Sequence, residues 1–150
     1  MATATNKLEA GGNALFGLLF LQAHVVRPID EALERAHHTN LTGFEVVLRL
    51  SQLHPEGASV RYLSDQVVVS PSRVSRVAED LVRRGLLERA TSVHDGRLSL
   101  VRLTDAGRDE LEAMQATFLD AVAEHLTDHL TQAQVKSLSE IARALGAPHC

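Results

Sequence analysis

The residues best placed to do chemistry lie between Ser70 and Gly85, in the run SPSRVSRVAEDLVRRG. Wound at about 3.6 residues per turn, Val74, Val77, Ala78, Leu81 and Val82 fall on one stripe. The opposite face carries Ser72, Arg76 and Arg83, flanked by Arg73 and Ser75. The first turns of a helix present free N–H groups to an anion, and Ser hydroxyls and Arg forks add donors at that end. Such a set suits phosphate, and an Arg can also fork onto O6 and N7 of guanine in the major groove. A solvated polar face is the alternative for any amphipathic helix, so the neighbouring elements decide. Further along, Asp95-Gly96-Arg97 marks a tight hairpin with a cation at its tip. Gly96 permits the turn, and Asp95 can hold Arg97 by a charge-assisted hydrogen bond.

The elements that must position these groups are legible too. Ser70 reads as an N-cap with Pro71 at the first helical position, where its missing N–H is harmless, and Gly85 ends the helix. Leu86–Ala90 and Leu98–Leu103 read as paired strands around the Asp-Gly turn. Before the reading helix, Ser59 caps a short helix to about Val67. Thr42-Gly43-Phe44-Glu45 reads as a capping box, with Thr42 as N-cap of a helix that stops at His54-Pro55-Glu56-Gly57. Short helix, turn, second helix and hairpin make a helix-turn-helix with a β-wing. The second helix enters a major groove, and Arg97 approaches the backbone or minor groove.

Long helices flank this middle. The first runs from about residues 8–13 to His37, apolar at Leu15, Leu18, Leu19, Val25, Val26, Ile29 and Leu33, with a kink or break expected at Pro28. Its Ala14–Val26 stretch is interrupted by Gln22 and His24 and reads as a buried helix, not a membrane span or signal peptide. Thr104 caps a helix that continues through Leu111, Met114, Phe118 and Val122 to about His129, and Thr131 caps a last one ending at Gly146.

With 150 residues, 45% hydrophobic but only 3% aromatic, the chain makes one domain around an aliphatic core, mainly α with a small β-hairpin. The net charge of -4 argues against a nucleic-acid partner, but its distribution does not. Residues 61–102 hold eight Arg against five acids, leaving a basic middle between acidic ends. The single Cys150 cannot pair within the chain, which fits a reducing, cytoplasmic location. A nucleotide loop, a Ser/His/Asp framework and a paired-acid cleft are all missing, so neither an enzyme nor a cofactor is expected.

Over Leu41 to Gly107 the chain resembles the MarR (multiple antibiotic resistance regulator) family of winged-helix transcription factors. The residues that carry the resemblance are Leu41-Thr42, Leu63-Ser64-Asp65, Ser70, Ser72, Val74 and Ser75-Arg76. Leu81, Arg84-Gly85-Leu86-Leu87-Glu88-Arg89, the Asp95-Gly96-Arg97 wing and Val101–Gly107 complete the set. The resemblance implies a winged helix-turn-helix core at about 41–107, flanked by N- and C-terminal dimerisation helices at about 8–40 and 108–146. It implies a homodimer that binds a pseudo-palindromic double-stranded DNA operator, usually as a repressor, with Arg97 in the minor groove. The DNA-binding set is then Ser70, Ser72, Arg73, Ser75, Arg76, Asp95 and Arg97. The resemblance also implies a pocket for a small anionic aromatic effector, for which Arg27, His37, Phe44 and Arg49 are candidates. The chain departs from the family pattern at Val68, where a Gly is usual before the recognition helix, and at Pro28. Two other readings stand beside this one. His125 and His129, spaced i, i+4, have the geometry to chelate zinc in a zinc-sensing regulator of the same fold. A helical dimeric protein-interaction module would use the basic middle as plain surface.

Overall fold

The computed structural model describes residues 2–53, 55–67, 69–92, 97 and 99–147. The expectations placed on His54, Val68, Asp95, Gly96, Leu98 and Cys150 lie outside the described residues. The chain opens with α1 (Ala2–Leu21), a π-helical turn (Gln22–Val26) and α2 (Arg27–His37). The regular α-helix is interrupted just before Pro28 by the π-helical turn, and helical backbone continues beyond it. Pro28 cannot donate to the carbonyl a turn earlier, and the widened π turn just before it accommodates the lost bond. Beyond this turn the helix faces inward, with Ile29 and Leu33 buried. Before it the helix faces out: Leu15, Phe16, Leu18, Leu19 and Phe20 are 48–70% exposed. The expectation of a buried helix over 14–26 is thus corrected for the single chain, because Leu15, Phe16, Leu18 and Leu19 stay exposed among the described residues.

Helix α3 (Leu41–Gln52) is capped by Asn40, whose side chain accepts from Gly43 N at 3.0 Å. Asp30 of α2 adds a carboxylate to the same end and accepts from Leu41 N at 2.7 Å. The Thr42–Glu45 capping box does not form: Thr42 is buried inside the helix, and Glu45 faces Arg49 at 3.6 Å. The helix starts two residues earlier than read, and Gly43 lets the preceding chain close over it. A Cβ there would sit 2.2 Å from the Thr39 hydroxyl, so the α2–α3 connection closes directly over it.

Ser59 caps α4 (Val60–Gln66) and Thr104 caps α6 (Asp105–His125), each by its side chain. Thr131 and Gln134 form a reciprocal capping box on α7 (Gln132–Ala144). Helix α6 stops at His125 and gives way to a 3-10 turn, Thr127–His129, short of the continuous helix expected. Strands β1 (Leu87–Thr91) and β2 (Ser99–Leu103) pair antiparallel in the register Leu87 with Leu103 and Thr91 with Ser99. A third rung joins them from the α3–α4 loop, where Ala58 and Val101 exchange both backbone hydrogen bonds at 3.0 and 2.8 Å. Gly57 makes that rung possible. Its φ is +87°, and a Cβ would lie 2.1 Å from the Val101 carbonyl.

The core runs through the middle of the chain. Leu33 of α2, Phe44, Val47 and Leu50 of α3, Leu63 of α4 and Val74 and Leu81 of α5 (Pro71–Arg83) meet Val101, Leu103, Leu111 and Met114. Each large aliphatic side chain removed from water in this way contributes about 1.5–3 kcal/mol. Helix α2 packs along α6, while α3 bridges α5 and α6. Helix α7 buries no residue, and among the described residues no helix is long and apolar enough to cross a membrane.

Candidate nucleic-acid interface

Helix α5 is laid out as its sequence predicts. Val74, Ala78 and Leu81 are buried, with Val77 and Val82 packed at the core's edge. Ser72, Arg73 and Arg76 are exposed, and Ser75 is half-buried beside them. Neither the Arg73 nor the Arg76 side chain has a hydrogen-bond or ion-pair partner among the described residues, so both guanidiniums are available to an external anion. Ser70 has the backbone of an N-cap, but its side chain accepts no cap hydrogen bond. Its hydroxyl pairs instead with that of Ser72 at 3.2 Å. Both hydroxyls thus stand at the open N-terminus of the helix with the free N–H groups, as anion binding there requires.

At the other end the polar face loses a member. Arg83 is bonded to Asp80, which neutralises it. Gly85, at φ +75°, closes the helix in a Schellman motif, with Leu86 N bonded to Leu81 O and Gly85 N to Val82 O, each at 3.0 Å. Thr104 binds back onto the Gly85 carbonyl at 2.7 Å, so the reading helix, the wing and α6 are tied at one point. Gly107 is required there, since a Cβ would lie 2.1 Å from the Leu86 carbonyl. An ion pair joins the two strands of the wing, Arg102 to Glu88 at 2.7 Å, and Arg97 beyond them is exposed. Asp95, its expected partner, lies outside the described residues.

The four effector candidates do not come together. Arg27 borders a cavity of about 620 Å³ between the π turn, α2, α3 and α5, with Gln22, Val26, Glu45 and Arg73. Phe44 is core, 4% exposed and stacked on Phe118 with ring centroids 4.7 Å apart. His37 is a structural tie. Its Nδ1 donates to the Glu110 carboxylate and its Nε2 meets the Thr117 hydroxyl, both at 2.8 Å. Arg49 faces Glu45, with its Nε buried and unbonded. Sequence spacing alone could not show this, because the cavity is assembled from helix ends whose facing directions are set by packing. The residue it overlooked is Arg73 in a second setting, as part of the cavity's wall on the α5 side.

The two candidate zinc histidines are already engaged locally. His129 Nε2 donates to the Glu124 carbonyl at 2.9 Å, and His125 lies 3.9 Å from the Glu124 carboxylate. Among the described residues, no group of three or more His, Cys, Asp or Glu is disposed to hold a metal ion.

A short helix, a reading helix with an unpaired arginine face and a two-stranded wing define a winged helix-turn-helix protein. Residues 46–98 match the model of the MarR family, about a third of this chain. The HTH-type transcriptional repressor IacR of Pseudomonas putida is 27% identical over 84 residues. That match takes in 56% of this chain, which spans about half the length of the relative. Among solved structures, Sco3205 of Streptomyces coelicolor, a MarR family transcriptional regulator in complex with DNA, superposes with a TM-score of 0.83 at 23% identity, over 89% of this chain and 84% of that one. CouR of Rhodococcus jostii RHA1, bound to p-coumaroyl-CoA, superposes with a TM-score of 0.75 at 19% identity, over 90% and 92% of the two chains. At such identities the likeness is one of fold.

Proposed function

We propose that this chain is a sequence-specific DNA-binding repressor that acts as a homodimer. The observation that carries the reading is the unpartnered pair Arg73 and Arg76 on the exposed face of a helix whose other face is locked into the core. Arg76, one turn in from the N-terminus, reads a base edge. Arg73, Ser70, Ser72 and Ser75 hold phosphates, and Arg97 anchors the wing. The dimer forms through the flanking helices at about 8–40 and 108–146. Leu15, Phe16, Leu19, Ile141 and Leu145 leave an apolar surface there that a second copy would cover. The two reading heads must then sit ~34–36 Å apart to meet successive major grooves.

The cavity beside Arg27 and Arg73 is the proposed seat of a small anionic aromatic effector, whose negative end Arg73 would receive, joined by Arg27 in exchange for its Glu31 pair at 2.9 Å. An effector shifts the protein off DNA only if it binds the two head spacings unequally. The test is fluorescence anisotropy with duplexes selected from a random-sequence library, over a salt series. Affinity falls steeply with salt for a regulator of this kind. A flat salt profile, or no selected duplex, would leave the protein-interaction module as the reading.

A further inference from the structure

Arg84, the C-cap of α5, reaches back to the far end of α2. Its Nη1 donates to the His38 carbonyl at 2.8 Å and its Nη2 to the His37 carbonyl at 2.6 Å. These oxygens belong to the last turn of α2, where carbonyls lack intrahelical partners and the helix dipole is negative. His38 itself has φ +51°, the one positive value outside glycine among the described residues, so the chain turns there in a conformation a Cβ disfavours. Asp80 lies 3.7 Å from Nη1 and helps to aim the guanidinium. On the other side of the same turn, the His37 ring is fixed to Glu110 and Thr117 of α6. One turn of chain is therefore gripped from α6 through its side chain and from α5 through its backbone. The Arg84 side chain is 27% exposed and spent on these carbonyls, unlike Arg73 and Arg76.

We propose that Arg84 is a positioning residue for DNA reading, which fixes the orientation of α5 against the α2–α6 pair and so the spacing of the two reading heads. The inference rests on the DNA-reading proposal and adds a residue that touches no DNA. Two parallel donors from a planar fork set an angle as well as a distance, which a single ammonium cannot do. Freed of that fork, α5 keeps its core contacts but can rock about them.

The experiment compares wild type, Arg84→Lys and Arg84→Ala on a duplex selected by the wild type from a random library. Companion duplexes have their half-sites moved apart by one and by two base pairs. The wild type should lose about tenfold or more in affinity on the shifted duplexes. Arg84→Ala should bind the selected duplex about tenfold more weakly yet discriminate among spacings by less than about threefold, with Arg84→Lys in between. The slope of affinity against salt should be unchanged in all three, because no phosphate contact is removed. An equal loss on every duplex overturns the proposal, as does a slope reduced by about one, which marks a direct phosphate contact. In the DNA-free protein, Arg84→Ala should speed amide exchange at the end of α2 and in α5 while the thermal midpoint stays near that of the wild type. Unchanged exchange overturns the junction independently of DNA. A wild type that selects no duplex overturns the DNA reading and this role with it, a failure distinct from lost spacing selectivity.

Discussion

Helices α1 and α5 both turn a broad face away from the chain's own core, but the two faces are chemical opposites. On α5 the outward face is hydroxyls and guanidinium, and the inward face is Val74, Ala78 and Leu81. On α1 the outward surface is itself apolar, with Phe16 70% exposed, and no residue described along it is buried. A polar face is stable in water and waits for an anion. An apolar face of this size is not at ease in water and calls for a covering partner. Exposure in a single chain therefore has two meanings, and the residue type on the exposed face tells them apart.

The largest effect that can sharpen the contrast comes from the junction behind the reading helix. Gly107→Ala drives a methyl into the Leu86 carbonyl and should destabilise folding by about 3 kcal/mol or more, read as a drop in the thermal midpoint. On α1, replacing Leu15 and Leu19 together by Glu should yield a monomer at micromolar concentration by sedimentation, with the helical content of the middle retained. A double variant that stays dimeric would break the comparison, because α1 would then be mere surface. Arg76→Ala should weaken specific binding by ~1–3 kcal/mol and relax preference at one base-pair position; an equal loss on all sequences would make Arg76 a phosphate contact. Arg97→Ala should lower the salt slope by about one while leaving base preference intact, and an unchanged slope removes the wing from the interface. The smallest effect belongs to Arg83→Ala. Its guanidinium is already paired with Asp80 on the surface, so stability and DNA affinity should each change by less than ~0.5 kcal/mol. A loss as large as that of Arg76 would return it to the reading face.

Local chemistry was legible where a residue acts on its own few neighbours. Ser59, Thr104 and Thr131 cap as their types and positions predict, and Gly85 closes α5, because capping is settled within one turn of backbone. The cap of α3 was misread. Thr42 and Glu45 have the right spacing for a capping box, but Asn40 and the Asp30 carboxylate from α2 take the helix end first. The effector candidates failed for a related reason. His37 and Phe44 have ligand-binding chemistry, yet each is consumed by a partner more than seventy positions away on α6.

The amino-acid sequence by itself determined the order of elements and which face of α5 is polar, since periodicity and turn chemistry are local properties of the chain. Tertiary structure decided which charges remain available. Arg73, Arg76, Arg83 and Arg84 look alike along the chain, but packing leaves the first two open, pairs the third with Asp80 and commits the fourth to the carbonyls of α2. A guanidinium's role depends on what lies within a few ångströms of it, and that distance is fixed only when helices far apart in sequence are brought together.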